Sequence, residues 1–127
     1  MKKKILIIDD EVDLTRMVKL NLEATDRYEV GIENKGANSL NAIKVFKPDL
    51  VFLDIVMPDA DGTNVVQQIK EDKETRHIPV VFLTALVKKE EVKGSSSVIG
   101  GYPFLAKPVS TKELIACIEQ NLGKPKL

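Results

Sequence analysis

Residues 2–11 read KKKILIIDDE: four uninterrupted apolar residues, Ile5 to Ile8, run directly into the acids Asp9, Asp10 and Glu11. A strand with one wet face alternates apolar and polar residues, whereas an unbroken β-branched and leucine run suits a strand buried on both faces. The same pattern recurs along the chain. Leu50 to Leu53 runs into Asp54, Val80 to Leu83 into Thr84, and Phe104 to Ala106 into Lys107. A weaker strand is predicted over Tyr28 to Ile32, where Val30 and Ile32 alternate with Glu29, Gly31 and Glu33.

Helix-period segments separate these runs. From Val12 to about Glu23, Leu14, Val18 and Leu22 recur at four-residue spacing with Met17 beside them, which predicts one inward stripe. A second helix is predicted after Gly36, with Leu40, Ile43 and Phe46 inward and Pro48 at its end. A third begins near Gly62 and Thr63 with Val65, Val66 and Ile69 on its inner face, and Asp54 to Asp61 reads as the loop before it. The last runs from about Thr111 to Leu122, capped by Ser110 or Thr111 and closed by Gly123 and Pro125. Between Leu83 and Phe104 the alternation calls for one more helix, but Gly94, the serines 95–97, Gly100 and Gly101 oppose it. Glycine costs a helix about 1 kcal/mol relative to alanine, and serine competes for backbone hydrogen bonds. A short or irregular fourth helix is expected. The alternation as a whole implies an α/β fold: a doubly wound parallel sheet of five strands with helices on both faces.

Composition bounds the function. With 127 residues, 19 Lys plus Arg against 19 Asp plus Glu, and 43% hydrophobic residues, the chain is expected to form one domain with no net charge. It lacks the concentrated basic charge of a stand-alone nucleic-acid binder. Its apolar runs fall far short of the roughly 20 residues that a bilayer span requires, and Lys2 to Lys4 precede too short an apolar stretch for a secretory signal. No nucleic-acid contact by this domain and no membrane association are expected. A single cysteine, Cys117, rules out an internal disulfide and a cysteine metal cage, and the expected compartment is the reducing cytoplasm.

In an open parallel sheet the carboxyl ends of the strands share one edge, and ligands bind in the crevice there. Asp9, Asp10, Asp54, Thr84 and Lys107 are therefore expected to converge, although 44, 30 and 23 residues separate Asp10, Asp54, Thr84 and Lys107 in turn. Three carboxylates in a partly desolvated site need counter-charge, and a divalent cation plus Lys107 supplies it. An all-oxygen donor set favours Mg²⁺ or Mn²⁺ over zinc. A hydroxyl and an ammonium beside such a cation suit phosphoryl transfer, with a carboxylate as the nucleophile because neither histidine nor cysteine is in position. Taken alone, Asp9 and Asp10 also suit a helix start, and Thr84 an ordinary strand end. His77 reads as a solvated surface residue, Cys117 as packing, and Met57-Pro58 as loop geometry.

The acidic doublet in KKKILIIDDE, the stretch DLVFLDIVMPDADG, the threonine in VVFLTA and the lysine in PFLAKP, in this order, resemble the receiver domain of bacterial two-component response regulators. The resemblance spans about Lys3 to Leu122 and is closest to single-domain, chemotaxis-regulator-like members. It implies a (βα)5 flavodoxin-like fold with sheet order 2-1-3-4-5, a receiver domain over residues 1–123, a short tail over 124–127 and no output domain. It implies that Asp54 accepts a phosphoryl group from a sensor histidine kinase or phosphotransfer protein. Asp10 would be the main Mg²⁺ ligand, with Asp9, Asp54 and the backbone carbonyl of Val56 completing the protein set. Lys107 would pair with a phosphoryl oxygen, Thr84 would swing toward another, and Phe104 would follow as a rotamer switch. The Lys107-Pro108 bond would be cis. The output would be altered affinity for a downstream protein, so the chain would be a phosphoacceptor switch that assists its own reactions and not an enzyme.

Some positions depart from the family pattern. Ala60 precedes Asp61 and Gly62 where methionine is frequent, and Tyr102-Pro103 stiffens the approach to Phe104. Val56 and Leu86, two residues after Asp54 and Thr84, are both apolar, so neither can orient a water and the acyl phosphate is expected to hydrolyse slowly. An aspartyl-nucleophile phosphohydrolase would want a second acid at position 56. A flavin carrier would want a phosphate-binding loop where Asp9 to Glu11 would repel phosphate.

Overall fold

Hiding both faces of the run Ile5 to Ile8 requires a layer above and a layer below, and the computed structural model, which describes residues 2–85 and 98–123, supplies both. β1 (Lys3–Ile8) lies inside the sheet between β2 (Tyr28–Glu33) and β3 (Leu50–Asp54), and beyond β3 come β6 (Val80–Thr84) and β8 (Tyr102–Ala106). These five strands run parallel in the order β2-β1-β3-β6-β8, which is the expected 2-1-3-4-5 arrangement.

Successive side chains point to opposite faces of a strand, so each apolar run divides between two cores. Ile5, Ile7 and Phe52 pack with Val18 and Leu22 of α1 (Val12–Glu23) and with Leu114 and Ile118 of α4 (Thr111–Leu122). On the other face, Leu6, Ile8 and Phe82 pack with Ile43 of α2 (Ser39–Phe46) and with Val65, Val66 and Ile69 of α3 (Gly62–Glu71). Parallel strands connected in this way leave every carboxyl end on one edge. Among the described residues no helix is long and apolar enough to cross a membrane.

Local chemistry sets the helix limits. Ser110 accepts from the Glu113 amide while the Glu113 carboxylate accepts from the Ser110 amide, a reciprocal cap that fixes which of the two predicted residues starts α4. Asp61 caps α3 by accepting from the Thr63 amide at 2.9 Å. α2 follows a single 3-10 turn (Gly36–Asn38) and ends on Lys47 in the left-handed region, with Pro48 next.

Three differences from the sequence reading stand out. Met17 is 48% exposed, and the inward stripe of α1 instead carries Thr15, which is fully buried. The expected loop from Asp54 to Asp61 contains a two-stranded hairpin, β4 (Val56–Met57) against β5 (Ala60–Asp61). The last parallel strand begins earlier, at Tyr102, because Tyr102 and Pro103 pair antiparallel with β7 (Val98–Ile99) while only 104–106 pair with β6. Pro103 thus falls where β8 has no β6 partner, and its missing N–H breaks no ladder bond to that strand. At the opposite edge, Glu23 Oε2 accepts from the Val30 amide at 3.0 Å and Lys19 Nζ donates to the Val30 carbonyl at 2.6 Å, so side chains of α1 occupy both backbone groups of Val30 on the outer side of β2. The short or irregular fourth helix, and Leu86 and Pro125 with their assigned roles, lie outside the described residues.

Candidate functional site

Each strand end delivers one functional group. Asp9 follows β1, and its amide donates to the Glu33 carbonyl of β2 at 3.0 Å, so the ladder extends one residue past the strand. The Asp9 carboxylate is fully buried, with Oδ1 accepting from the Glu11 amide at 2.9 Å. Asn34 Nδ2 donates to the Asp9 carbonyl at 2.8 Å and to Thr15 Oγ1 at 3.1 Å, tying this corner to α1. The buried Thr15 hydroxyl thereby has a partner.

Asp54 is the last residue of β3 and only 5% exposed, and its Oδ1 accepts from the Val56 amide at 3.3 Å. Behind it, the Gly62 amide donates to the Ile55 carbonyl at 2.7 Å. A Cβ on Gly62 would lie 2.5 Å from the Asp54 carbonyl oxygen, so only glycine lets α3 start this close to the strand end. Thr84 closes β6 and is buried, and its carbonyl accepts from the Lys107 amide at 2.7 Å. That bond fixes the root of the Lys107 side chain. The Lys107-Pro108 bond is cis, as expected.

Asp10, Glu11, Asp54, Val56, Thr84, Ala85 and Lys107 line one open cleft of about 360 Å³, with Asp9 beneath it. Lys107 Nζ lies 2.8 Å from Asp9 Oδ2, 2.7 Å from Glu11 Oε2 and 3.7 Å from Asp54 Oδ2. The contact with Asp9 Oδ2 is charge to charge; its direction does not make a hydrogen bond. Phe104 does not line the cleft. It pairs in register with Phe82 and packs on the core beneath, on the sheet face that Thr84 also shares through its two-residue spacing from Phe82.

The electrostatics show an excess of negative charge. Burial, then the neighbouring Asp9 charge, push the Asp54 carboxyl up to about 7 against the pull of Lys107. Burial likewise raises Asp9 despite its contact with Lys107. Burial works against the Lys107 ammonium, yet its close contacts with the Asp9 and Glu11 carboxylates outweigh this and raise it. One ammonium is not enough for these acids. Asp9, Asp10 and Asp54 each offer an oxygen within 4.8 Å of the others. Three hard oxygen donors, two of them poorly compensated, fit Mg²⁺ or Mn²⁺ and not a thiophilic metal.

Three contributors escaped the sequence reading. Glu11 ended the acidic run but was not counted into the charge balance. Asn34 orients the Asp9 corner, and its position just past a strand end was the available signal. Asp59 accepts from the Gly36 amide at 3.1 Å and the Ala37 amide at 2.9 Å, anchoring the hairpin beside Asp54. Nothing in the local sequence pairs those segments.

Residues 5–119 match the family described as response regulator receiver domain. Response regulator PleD of Caulobacter vibrioides is 37% identical over 117 residues, covering 91% of this chain and 25% of that protein. The DNA-binding dual master transcriptional regulator RpaA of Synechocystis is 35% identical over 122 residues, covering 95% of this chain and 49% of that protein. The chain thus spans between a quarter and half the length of these curated relatives. Among solved structures, chemotaxis response regulator CheY4 of Vibrio cholerae shares the fold with a TM-score of 0.80 at 23% identity, covering 96% of this chain and 100% of that one. The N-terminal domain of a response regulator receiver protein from Methanoculleus marisnigri has a TM-score of 0.69 at 33% identity, covering 96% of this chain and 98% of that one.

Proposed function

Since the chain belongs to the response regulator receiver family and hence to two-component signalling, we propose that Asp54 is its phosphoacceptor and that phosphorylation switches its affinity for a downstream protein. The observation that carries this reading is the cleft itself, in which Asp54 stands at the end of β3 among two further acids and one ammonium. An Asp54 carboxylate oxygen attacks the phosphorus of a phosphohistidine on a sensor kinase or phosphotransfer protein. A P–O bond forms, the P–N bond breaks with its electron pair left on the released nitrogen, and the imidazole leaves neutral, its proton on the nitrogen that was never phosphorylated. Asp9, Asp10, Asp54 and the Val56 carbonyl are the groups that would hold Mg²⁺, and the cation when bound supplies positive charge to the phosphoryl oxygens.

Lys107 donates to one phosphoryl oxygen. Thr84 turns its hydroxyl to another, and Phe104, on the same sheet face and one strand over, takes up the space this movement opens. The domain is a stoichiometric acceptor that assists its own phosphorylation, in the cytoplasm where such kinases present their phosphohistidine. Val56 stands 60% exposed at the cleft rim and offers no group to orient a water, which supports slow hydrolysis of the acyl phosphate. Val56→Glu should shorten its lifetime several-fold, within the roughly 100-fold that a positioned base contributes; an unchanged lifetime removes that explanation.

The deciding experiment is incubation with Mg²⁺ and acetyl phosphate, or with beryllofluoride, read by intact mass and amide NMR alongside Asp54→Asn. A cation-dependent phosphoryl adduct absent from the variant, with shifts at Thr84 and Phe104, is the expected result. Absence of any adduct in the wild-type protein overturns the assignment.

A further inference from the structure

Glu11 occupies the N-cap of α1, where a short side chain usually accepts from the helix amides. Here it makes no such cap. Instead the carboxylate reaches across the cleft, and Oε2 accepts from Lys107 Nζ at 2.7 Å although 96 residues separate the two. Lys107 Nζ sits between the buried Asp9 Oδ2 at 2.8 Å and Glu11 Oε2 at 2.7 Å and stays 3.7 Å from Asp54, so Asp9 from below and Glu11 from the rim hold the ammonium beyond hydrogen-bond length of the acceptor carboxylate. The Lys107 side chain is 13% exposed and that of Glu11 57%. One end of this pair is therefore inside the cleft and the other in water.

We propose that Glu11 is a positioning residue: in the resting domain it holds the Lys107 ammonium off Asp54 and releases it when a phosphoryl group arrives there. This rests on Asp54 being the phosphoacceptor. The asymmetry of burial sets the direction of the exchange. An ion pair with one partner in water is screened and weak, whereas a phosphoryl group inside the cleft offers charge-assisted hydrogen bonds in a lower dielectric. The Lys107 amide stays bonded to the Thr84 carbonyl, so the root of the side chain is fixed and only the ammonium end moves, from its contact with Glu11 at 2.7 Å toward Asp54, 3.7 Å away. Glu11 accordingly slows phosphorylation by engaging the group that must greet the incoming phosphoryl. It is not a metal ligand and touches no reacting atom.

The test compares wild type with Glu11→Gln and Glu11→Asp. Aspartate keeps the charge but is one methylene too short to keep the contact. The readouts are the Lys107 side-chain ammonium resonance of the resting protein and the rate of phosphorylation by acetyl phosphate with Mg²⁺. Both variants should phosphorylate faster by about two- to fivefold, the scale of a screened ion pair. In both, the resting ammonium resonance should move toward its position in the beryllofluoride-bound wild type. An ammonium resonance unchanged by either substitution overturns the proposal. So does a Glu11→Asp variant that matches wild type while Glu11→Gln is faster, because charge alone would then account for the effect. Failure of the wild-type protein to form any adduct would instead count against Asp54 as acceptor, and the resting resonances would still decide whether Glu11 holds Lys107.

Discussion

Asp54 carries the cost of its own position. Its carboxyl sits near 7 in the fold against an ordinary 3.8, because burial and the Asp9 charge favour the protonated form. Between those two values the folded protein binds a proton that the unfolded chain has lost, so stability falls as pH rises, with a limiting slope of about 1.4 kcal/mol per pH unit. Without divalent cations, the denaturation midpoint should drop from pH 5 to pH 7.5, and Asp54→Asn should flatten that drop and gain about 1–2 kcal/mol at pH 7.5. Protons and cations compete for the same oxygens, so Mg²⁺ affinity should rise over this window, as fluorescence or NMR titration would show. Gly62 is the other residue with no latitude. Gly62→Ala places a methyl 2.5 Å from the Asp54 carbonyl oxygen, and the backbone shift it forces should lower stability by about 2–3 kcal/mol and displace the acceptor. Equal midpoints for the two proteins in urea would contradict that.

At the scale of elements, the hairpin β4–β5 depends on an anchor outside itself. Two-residue strands have little stability of their own, and Asp59 ties this pair to Gly36 and Ala37. Asp59→Ala should lower the urea midpoint slightly and speed amide exchange across Val56 to Asp61, leaving the central strands protected. The buried strands were legible as short unbroken apolar runs such as Ile5 to Ile8, and the long helices because their apolar residues repeat with the helical period, as in Val18 and Leu22. The hairpin was not, since two residues carry no period. The convergence of Asp9, Asp10, Asp54, Thr84 and Lys107 was legible from position alone: each ends or follows a buried strand, and parallel strands end together. Glu11 was not, because its role depends on where a side chain from the far end of the molecule comes to rest. Met17 was expected beside the inward stripe and is exposed, while Thr15, which no apolar pattern marks, is buried with its hydroxyl accepting from Asn34 at the Asp9 corner.

At the scale of the molecule, two cores on opposite faces of one sheet hold the four strand ends in register, and the order β2-β1-β3-β6-β8 places β1 and β3, which bear most of the acids, at its centre. The interior of such a sheet is stiffer than its edges, which suits a cluster of charges whose spacing depends on where two strands end. A sheet that ends must also face the solvent at its last strand, and here that strand is β2. The Lys19 and Glu23 side chains bonded to Val30 therefore do more than pair with each other: they deny a docking rail to any other extended chain. Lys19→Ala with Glu23→Ala should leave the cleft chemistry intact while the protein begins to scatter light on heating at concentrations where the wild type stays clear. A helix that lends two side chains to a neighbouring strand thus closes part of an edge that would otherwise lie open to another extended chain.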